Sequence, residues 1–359
     1  MEKTVVTPYE VKGKIDYGKL VKQFGASQIS PTLLKKVRRP HRLLRRKCFY
    51  AHRDFDKLLK EKKFCIVSGR GPSASMTLGH LMIYNFIKHM QDVYGCYVFV
   101  PFSDDEKFFY QPDLKFKDLK KLNYDNAADI AALGFDPKKT EFFFDTLTMN
   151  QEMYNLAVKA AKRMTFSMVK DALGFSVSNN VGSTFYPAMQ AAHILYPTVK
   201  YKLPVLVVVG IDQDIMIKLA RDVAFKLRIG KPADLLSKFI PGLSGSEKMS
   251  ASISEDAIYT TDSPDLAAKK IMSAFSGGAE TLELQKKKGG NPEVCSVFKY
   301  LNLFFIDDDK KVAEHYRKCK AGKLQCAECK KKLAQLVKNY LKEHQKRKKR
   351  VKPEQFIKK

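Results

Sequence analysis

Between Phe64 and Gln91 the chain changes its hydrophobic period, and that change confines the fold more than any other stretch. Phe64-Cys65-Ile66-Val67 is a short apolar run closed by a Gly-rich segment, the pattern of a strand buried on both faces of a parallel sheet. After Ser68-Gly69-Arg70-Gly71-Pro72-Ser73-Ala74-Ser75-Met76-Thr77-Leu78-Gly79-His80 the spacing becomes helical. From Leu81 on, Met82, Ile83, Phe86, Ile87 and Met90 share one stripe. In a strand, tight turn and helix of this kind, Gly69 and Gly71 let backbone approach a ligand closely. The helix start offers unpaired N–H groups to phosphate. The turn has neither the Gly-x-Gly-x-x-Gly of a dinucleotide fold nor the Gly-Lys-Ser/Thr of a P-loop.

Three further apolar runs end in polar clusters. Tyr97-Val98-Phe99-Val100-Pro101-Phe102 leads into Ser103-Asp104-Asp105-Glu106-Lys107, and Phe142-Phe143-Phe144 into Asp145. The aliphatic run over 203–209 leads into Gly210-Ile211-Asp212-Gln213-Asp214. The expected fold is therefore α/β, a Rossmann-like doubly wound parallel sheet with its chemistry at the carboxyl edge. Taken singly, each acid cluster reads as a helix N-cap. Residues 31–63 read as helical with a break at Pro40. Residues from about 117 to 196 read as a helical insertion that builds a substrate pocket or a dimer face. Within it, residues 151–170 read as one amphipathic helix and a lone His193 as structural. At Gly242-Leu243-Ser244-Gly245-Ser246-Glu247-Lys248-Met249-Ser250-Ala251-Ser252 lies a polar Gly/Ser-rich loop, suited to carrying an ammonium onto a leaving pyrophosphate.

Composition narrows the class. At 359 residues and 45% hydrophobic the chain supports a large core, and no apolar run reaches the length of a membrane span. The start of the chain does not read as a signal peptide. Seven scattered cysteines read as reduced thiols in the cytoplasm, and Cys326-x-x-Cys329, lacking a second pair, as cysteines on a surface helix. The net charge is +27; residues 310–359 hold 19 Lys/Arg against 4 Asp/Glu. A second basic stretch centres on Arg38, Arg39, Arg42, Arg45, Arg46 and Lys47. Two basic surfaces point to a polyanion, with nucleic acid first.

Thr77-Leu78-Gly79-His80 resembles the Thr/His-x-Gly-His signature of the nucleotidyltransferase superfamily. Lys248-Met249-Ser250-Ala251-Ser252 resembles the Lys-Met-Ser-Lys-Ser signature of class I aminoacyl-tRNA synthetases. With residues 69–73, 103–107, 211–214, 276–278, 289–291 and the 7–11 arm, the whole chain resembles the tryptophanyl-tRNA synthetases of the eukaryotic and archaeal cytosolic type. The resemblance implies ATP-dependent activation of tryptophan to an adenylate and transfer to the terminal 2′-hydroxyl of tRNA(Trp). It implies that Arg70, Gly71, Thr77, Gly79, His80, Lys248, Met249 and Ser250 hold ATP, with Arg70, His80 and Lys248 catalytic. Glu106, Gln190 and Gln213 would hold the amino acid's ammonium and carboxylate. Mg²⁺ would arrive on ATP, with no dedicated protein site. It further implies a cytoplasmic homodimer with an N-terminal arm and helices over 1–62, a catalytic domain over 63–262 and an α-helical anticodon-binding domain over 263–359. Two departures bear on specificity and rate. Thr77 stands for the first histidine of the signature. Val67 and Pro101 stand where eukaryotic members place a Tyr and a Gln toward the indole N–H. A tyrosine-specific sister enzyme, a catalytically silent RNA-binding paralogue and a small-molecule adenylyltransferase are the competing readings.

Overall fold

The computed structural model describes residues 5–6, 8, 11–12, 16–23, 25–249 and 253–358. Seven strands form its main sheet: β1 (Ser27–Gln28), β2 (Phe49–Arg53), β3 (Cys65–Val67), β4 (Tyr97–Phe102), β5 (Thr140–Phe144), β6 (Val205–Gly210) and β7 (Ala233–Ser237). Their order is β1-β2-β7-β6-β3-β4-β5. β7, β6, β3, β4 and β5 run parallel, whereas β2 joins β7 and β1 joins β2 antiparallel. The chain moves outward from β3 through β4 to β5, then crosses back to β6. The order therefore reverses between β3 and β6, and a crevice opens at their carboxyl ends.

Alternation along the strands divides the core into two layers. Ile66, Val98, Val100, Leu206 and Val208 pack with Leu81, Phe86, Ile87 and Met90 of the helix Leu78–Tyr94. Cys65, Val67, Phe99, Val205 and Val207 face the helices Gln151–Ala161, Val181–Tyr201 and Asp214–Lys226. The expected parallel sheet is present, with an antiparallel edge added to it.

That edge was not expected from the 31–63 stretch. Helices occupy Pro31–Lys36 and Arg42–Arg45, but β2 follows, buried at all five positions. Its Arg53 is held by Asp234 of β7 at 2.8 Å and Asp214 at 2.5 Å, so a charged residue stays inside the sheet by pairing across the chain. The single helix expected over 151–170 is two, Gln151–Ala161 and Phe166–Leu173, the second capped by the Thr165 hydroxyl accepting from Met168 N–H.

Three members of the arginine cluster, Arg42, Arg45 and Arg46, are structural. Arg42 donates to the carbonyls of Leu303 and Phe304 at 2.9 and 2.8 Å, and Arg46 to those of Ile306 and Asp307 at 2.6 and 2.7 Å. Arg45 and Arg46 also pair with Asp309. These are carbonyls at the end of the Ser296–Phe305 helical stretch, which has no further turn to satisfy them. These three guanidinium groups, expected to meet nucleic acid, instead close that helix end.

The basic C-terminus is ordered as the helix Cys326–Lys348, followed by a single turn at Pro353–Phe356. Leu333, Val337 and Leu341 enter the core layer of the Leu78–Tyr94 helix. Asp129 accepts from His344, Lys348 and Thr260, each at 2.8 Å. Phe356 stacks on Phe142 of β5 with ring centroids 4.6 Å apart. No helix among the described residues is long and apolar enough to cross a membrane.

Candidate active site

The crevice at the β3/β6 switch point is a cleft of about 680 Å³. Its floor is the turn after β3. Ser68 ties the two strands together by donating to the Val208 carbonyl at 2.8 Å. Arg70 N–H donates to the Pro101 carbonyl at 2.8 Å, which holds the turn beside β4. Gly71 lets Lys107 and Glu106 lie against the turn: a Cβ there would be 2.1 Å from Lys107 Cε and 3.1 Å from Glu106 Oε2, so those side-chain ends would have to move aside. Gly69 has ordinary clearance, a Cβ meeting the Pro101 oxygen at 3.5 Å.

The helix start sets the imidazole. Thr77 is the N-cap, and its backbone N–H donates to His80 Nδ1 at 3.0 Å in a reciprocal capping box. Because Nδ1 accepts, the neutral ring carries its proton on Nε2, a donor at the cleft wall. Burial, then the charges of Arg70 and Lys107, keep the His80 pKa well below its ordinary value. The ring is therefore neutral across physiological pH. Thr77 in place of a histidine builds this arrangement rather than disturbing it.

The Lys248 loop closes the opposite wall. Lys248 Nζ pairs with Asp212 Oδ2 at 3.2 Å and lies 4.7 Å from the Phe239 ring centre, its side chain 42% exposed. Met249 N–H donates to the Ile240 carbonyl at 2.7 Å. A Cβ on Gly79 would meet Ile240 Cδ1 at 3.3 Å and Met249 Sδ at 3.4 Å, so the loop packs directly on the helix start. Behind it, Leu78 N–H donates to the Ile258 carbonyl and Thr260 N–H to the Met76 carbonyl, at 2.9 and 2.8 Å. Two loops far apart in sequence are thus bound at their bases and face one space. Ser250 lies outside the described residues.

On the remaining side, Gln190 donates to Gln213 at 3.1 Å, and the buried Glu106 carboxylate pairs with Lys107 at 3.0 Å. Arg70 donates to Asn126 at 2.8 Å, and burial pulls its pKa down to about 10, so it remains charged. Arg70, Gly71, Thr77, Gly79, His80, Glu106, Gln190, Gln213, Lys248 and Met249 all line the cleft. Val67 and Pro101 do not; both are buried in the sheet, Val67 on the layer of the Val181–Tyr201 helix. Ser68, Tyr84, Ser103 and Tyr186 line the cleft and were not singled out as site residues. Tyr186 donates to Ser103 at 2.8 Å. Their only sequence signal was position at a strand end or on a substrate-side helix.

His193 is removed from the cleft, donating from Nε2 to Asp145 at 2.7 Å within a buried cluster. Asp104, Asp105 and Asp145 bring carboxylate oxygens within 4.8 Å of one another. Asn123 and Thr146 donate to Asp104, and His193 to Asp145, so much of the trio's acceptor capacity is used by the protein. Burial and then Asp145 push the Asp105 pKa up to about 9, so a shared proton offsets the close carboxylates. The trio therefore fits a proton-sharing structural cluster better than a hydrated Mg²⁺.

A Gly-rich turn and a fixed imidazole at the switch point, closed by a lysine loop, define a Rossmann nucleotide-binding protein of the class I type. The family model of class I tRNA synthetases (W and Y) matches residues 59–342, and the chain belongs to that family. It is 45% identical to the Tryptophan--tRNA ligase of Pyrococcus furiosus over 98% of this chain and 92% of that protein. It is 42% identical to the corresponding ligase of Pyrobaculum aerophilum, covering 98% and 96%. The tryptophanyl-tRNA synthetase of Plasmodium falciparum superposes with a TM-score of 0.89 at 32% identity, covering 96% of this chain and 98% of that one.

Proposed function

We propose that this chain activates L-tryptophan with ATP and transfers it to the 2′-hydroxyl of the terminal ribose of tRNA(Trp), releasing AMP and pyrophosphate. The observation that carries the reading is the convergence of His80 and Lys248 on one cleft, with Met249 packed over Gly79. The substrate carboxylate is its own nucleophile toward the α-phosphorus, so the protein supplies positioning and charge stabilisation rather than a general base. In this reading His80 donates Nε2–H to phosphate oxygens, and Arg70 supplies a fixed cation. Lys248 leaves Asp212 for the pyrophosphate as its negative charge builds. Glu106, Gln190 and Gln213 hold the amino acid's ammonium and carboxylate. Mg²⁺ enters with ATP. With Val67 and Pro101 inside the sheet, the polar groups available to an indole N–H are those lining the cleft, Tyr84, Ser103 and Tyr186 among them.

Residues 63–262 serve as the catalytic unit in this proposal, and residues 263–359 as the unit that reads the anticodon. Seven unpaired thiols support a cytoplasmic setting, and a homodimer is the assembly proposed. The test is pyrophosphate exchange across the aromatic amino acids. Exchange supported by tryptophan, and not by saturating tyrosine, is the expected result. Exchange with tyrosine alone would assign the sister specificity, and RNA binding with no exchange under any amino acid would assign a silent paralogue.

A further inference from the structure

Four of the seven cysteines come together away from the cleft. Cys295 caps the helix Ser296–Tyr300, Cys319 lies in the last turn of the helix Asp309–Lys320, and Cys326 and Cys329 occupy the first turn of Cys326–Lys348. With His315 they line one small cavity of about 20 Å³ between their sulfurs. Phe298 N–H donates to Cys295 Sγ at 3.4 Å, and His315 Nε2 lies within hydrogen-bond reach of Cys329 Sγ at 3.5 Å. Two glycines admit the backbone to the cluster. A Cβ on Gly278 would lie 2.7 Å from Cys326 Sγ, and one on Gly290 3.0 Å from Cys319 Sγ.

We infer that Cys295, Cys319, Cys326 and Cys329 form a tetrathiolate centre for a thiophilic metal, held as a single Zn²⁺ or as an iron–sulfur cluster. Cys326-x-x-Cys329 supplies the half-site that one helical turn can present. The other half arrives from two separate elements, so no second pair is visible in the sequence. A thiophilic cation is held by cysteines as thiolates, so loading releases protons. His315 is a positioning residue that donates to the Cys329 sulfur, as outer-shell groups commonly do. No three of these ligand atoms lie within 4.8 Å of one another. In a tetrahedral zinc site sulfurs stand about 3.8 Å apart, from Zn–S bonds of about 2.3 Å. Loading with Zn²⁺ therefore draws the first turn of the Cys326–Lys348 helix toward Cys319 and Cys295, tying the two basic C-terminal helices to the start of the Ser296–Tyr300 helix.

The full chain, purified anaerobically without chelators, is assayed for zinc, iron and acid-labile sulfide. One zinc per chain identifies the mononuclear centre; equal iron and sulfide with visible absorption identifies the cluster. C326S lowers the bound metal to background, whereas C65S, altering a core thiol of β3, retains it. Should C326S fail to fold, a mercurial titration of the wild-type chain takes its place, with metal released in proportion as four thiols react. The inference is overturned if the chain holds no stoichiometric metal as purified and after incubation with Zn²⁺ or with Fe²⁺ and sulfide. It is equally overturned if folded C326S keeps its metal.

Discussion

Replacing Lys248 by alanine separates a catalytic lysine from a structural one. In the free chain its ammonium is partly exposed and paired with a single carboxylate, Asp212, at 3.2 Å. A solvent-screened pair of that kind contributes about 0–1 kcal/mol, so K248A should unfold within about 1 kcal/mol of the parent. At the transition state the same ammonium would meet pyrophosphate charge in a closed cleft. Losing such a contact costs about 3–4 kcal/mol, or about 100- to 1,000-fold in rate. Pyrophosphate exchange should accordingly lose that factor in kcat, with the KM for tryptophan changed less than about threefold. D212N, which frees the lysine from its resting partner, should keep exchange within about tenfold of the parent. Single-turnover adenylate formation by rapid quench separates the chemical step from product release. An equal loss of tryptophan binding and rate in K248A, or a collapse of its stability, would refute the assignment.

Arg46→Ala should destabilise the chain by about 2–4 kcal/mol, because it strands carbonyls at the end of a helix, while the salt dependence of tRNA binding keeps its slope; a shallower slope in a folded variant would return this cluster to an RNA surface. Phe356→Ala should cost about 3–5 kcal/mol in a denaturant melt, since the ring is buried and stacked on Phe142. The same contact means that trimming the last residues removes core as well as charge. Asp105, with its folded pKa raised to about 9 above an ordinary 3.8, binds more protons folded than unfolded between those values. Stability from this group is present at low pH and is lost as pH rises toward 9, by at most about 1.4 kcal/mol per unit. D105N should flatten that part of the pH–stability curve; an unchanged slope would show that the carboxyl is ionised in the native state.

What could be read from the sequence follows from how local each signal is. The change of period at Phe64 and the Gly-His helix start are local, so the turn, the helix and His80 were legible. The Lys248 loop was legible as a second motif, yet nothing local says that Met249 rests against Gly79. β2 and β7 were missed because each carries a charge in a buried strand. Arg53 and Asp234 satisfy one another from distant positions, which a windowed pattern cannot see. The arginine cluster misled for the same reason: a run of charge looks solvated until its carbonyl partners near residue 305 come into view. The cysteines divide likewise, one pair visible as Cys-x-x-Cys and its partners visible only in space.

The chain contains no tryptophan, so the fluorescence of added tryptophan reports its own environment against a quiet background. The decisive measurement is a titration of this signal with and without ATP in the parent and in K248A. A saturable change with tryptophan alone is expected in both proteins, and a second, ATP-dependent change that is fast in the parent and slowed by about 100-fold or more in K248A. A parent protein that shows no change with tryptophan, or an ATP-dependent phase of equal rate in both, would contradict this expectation.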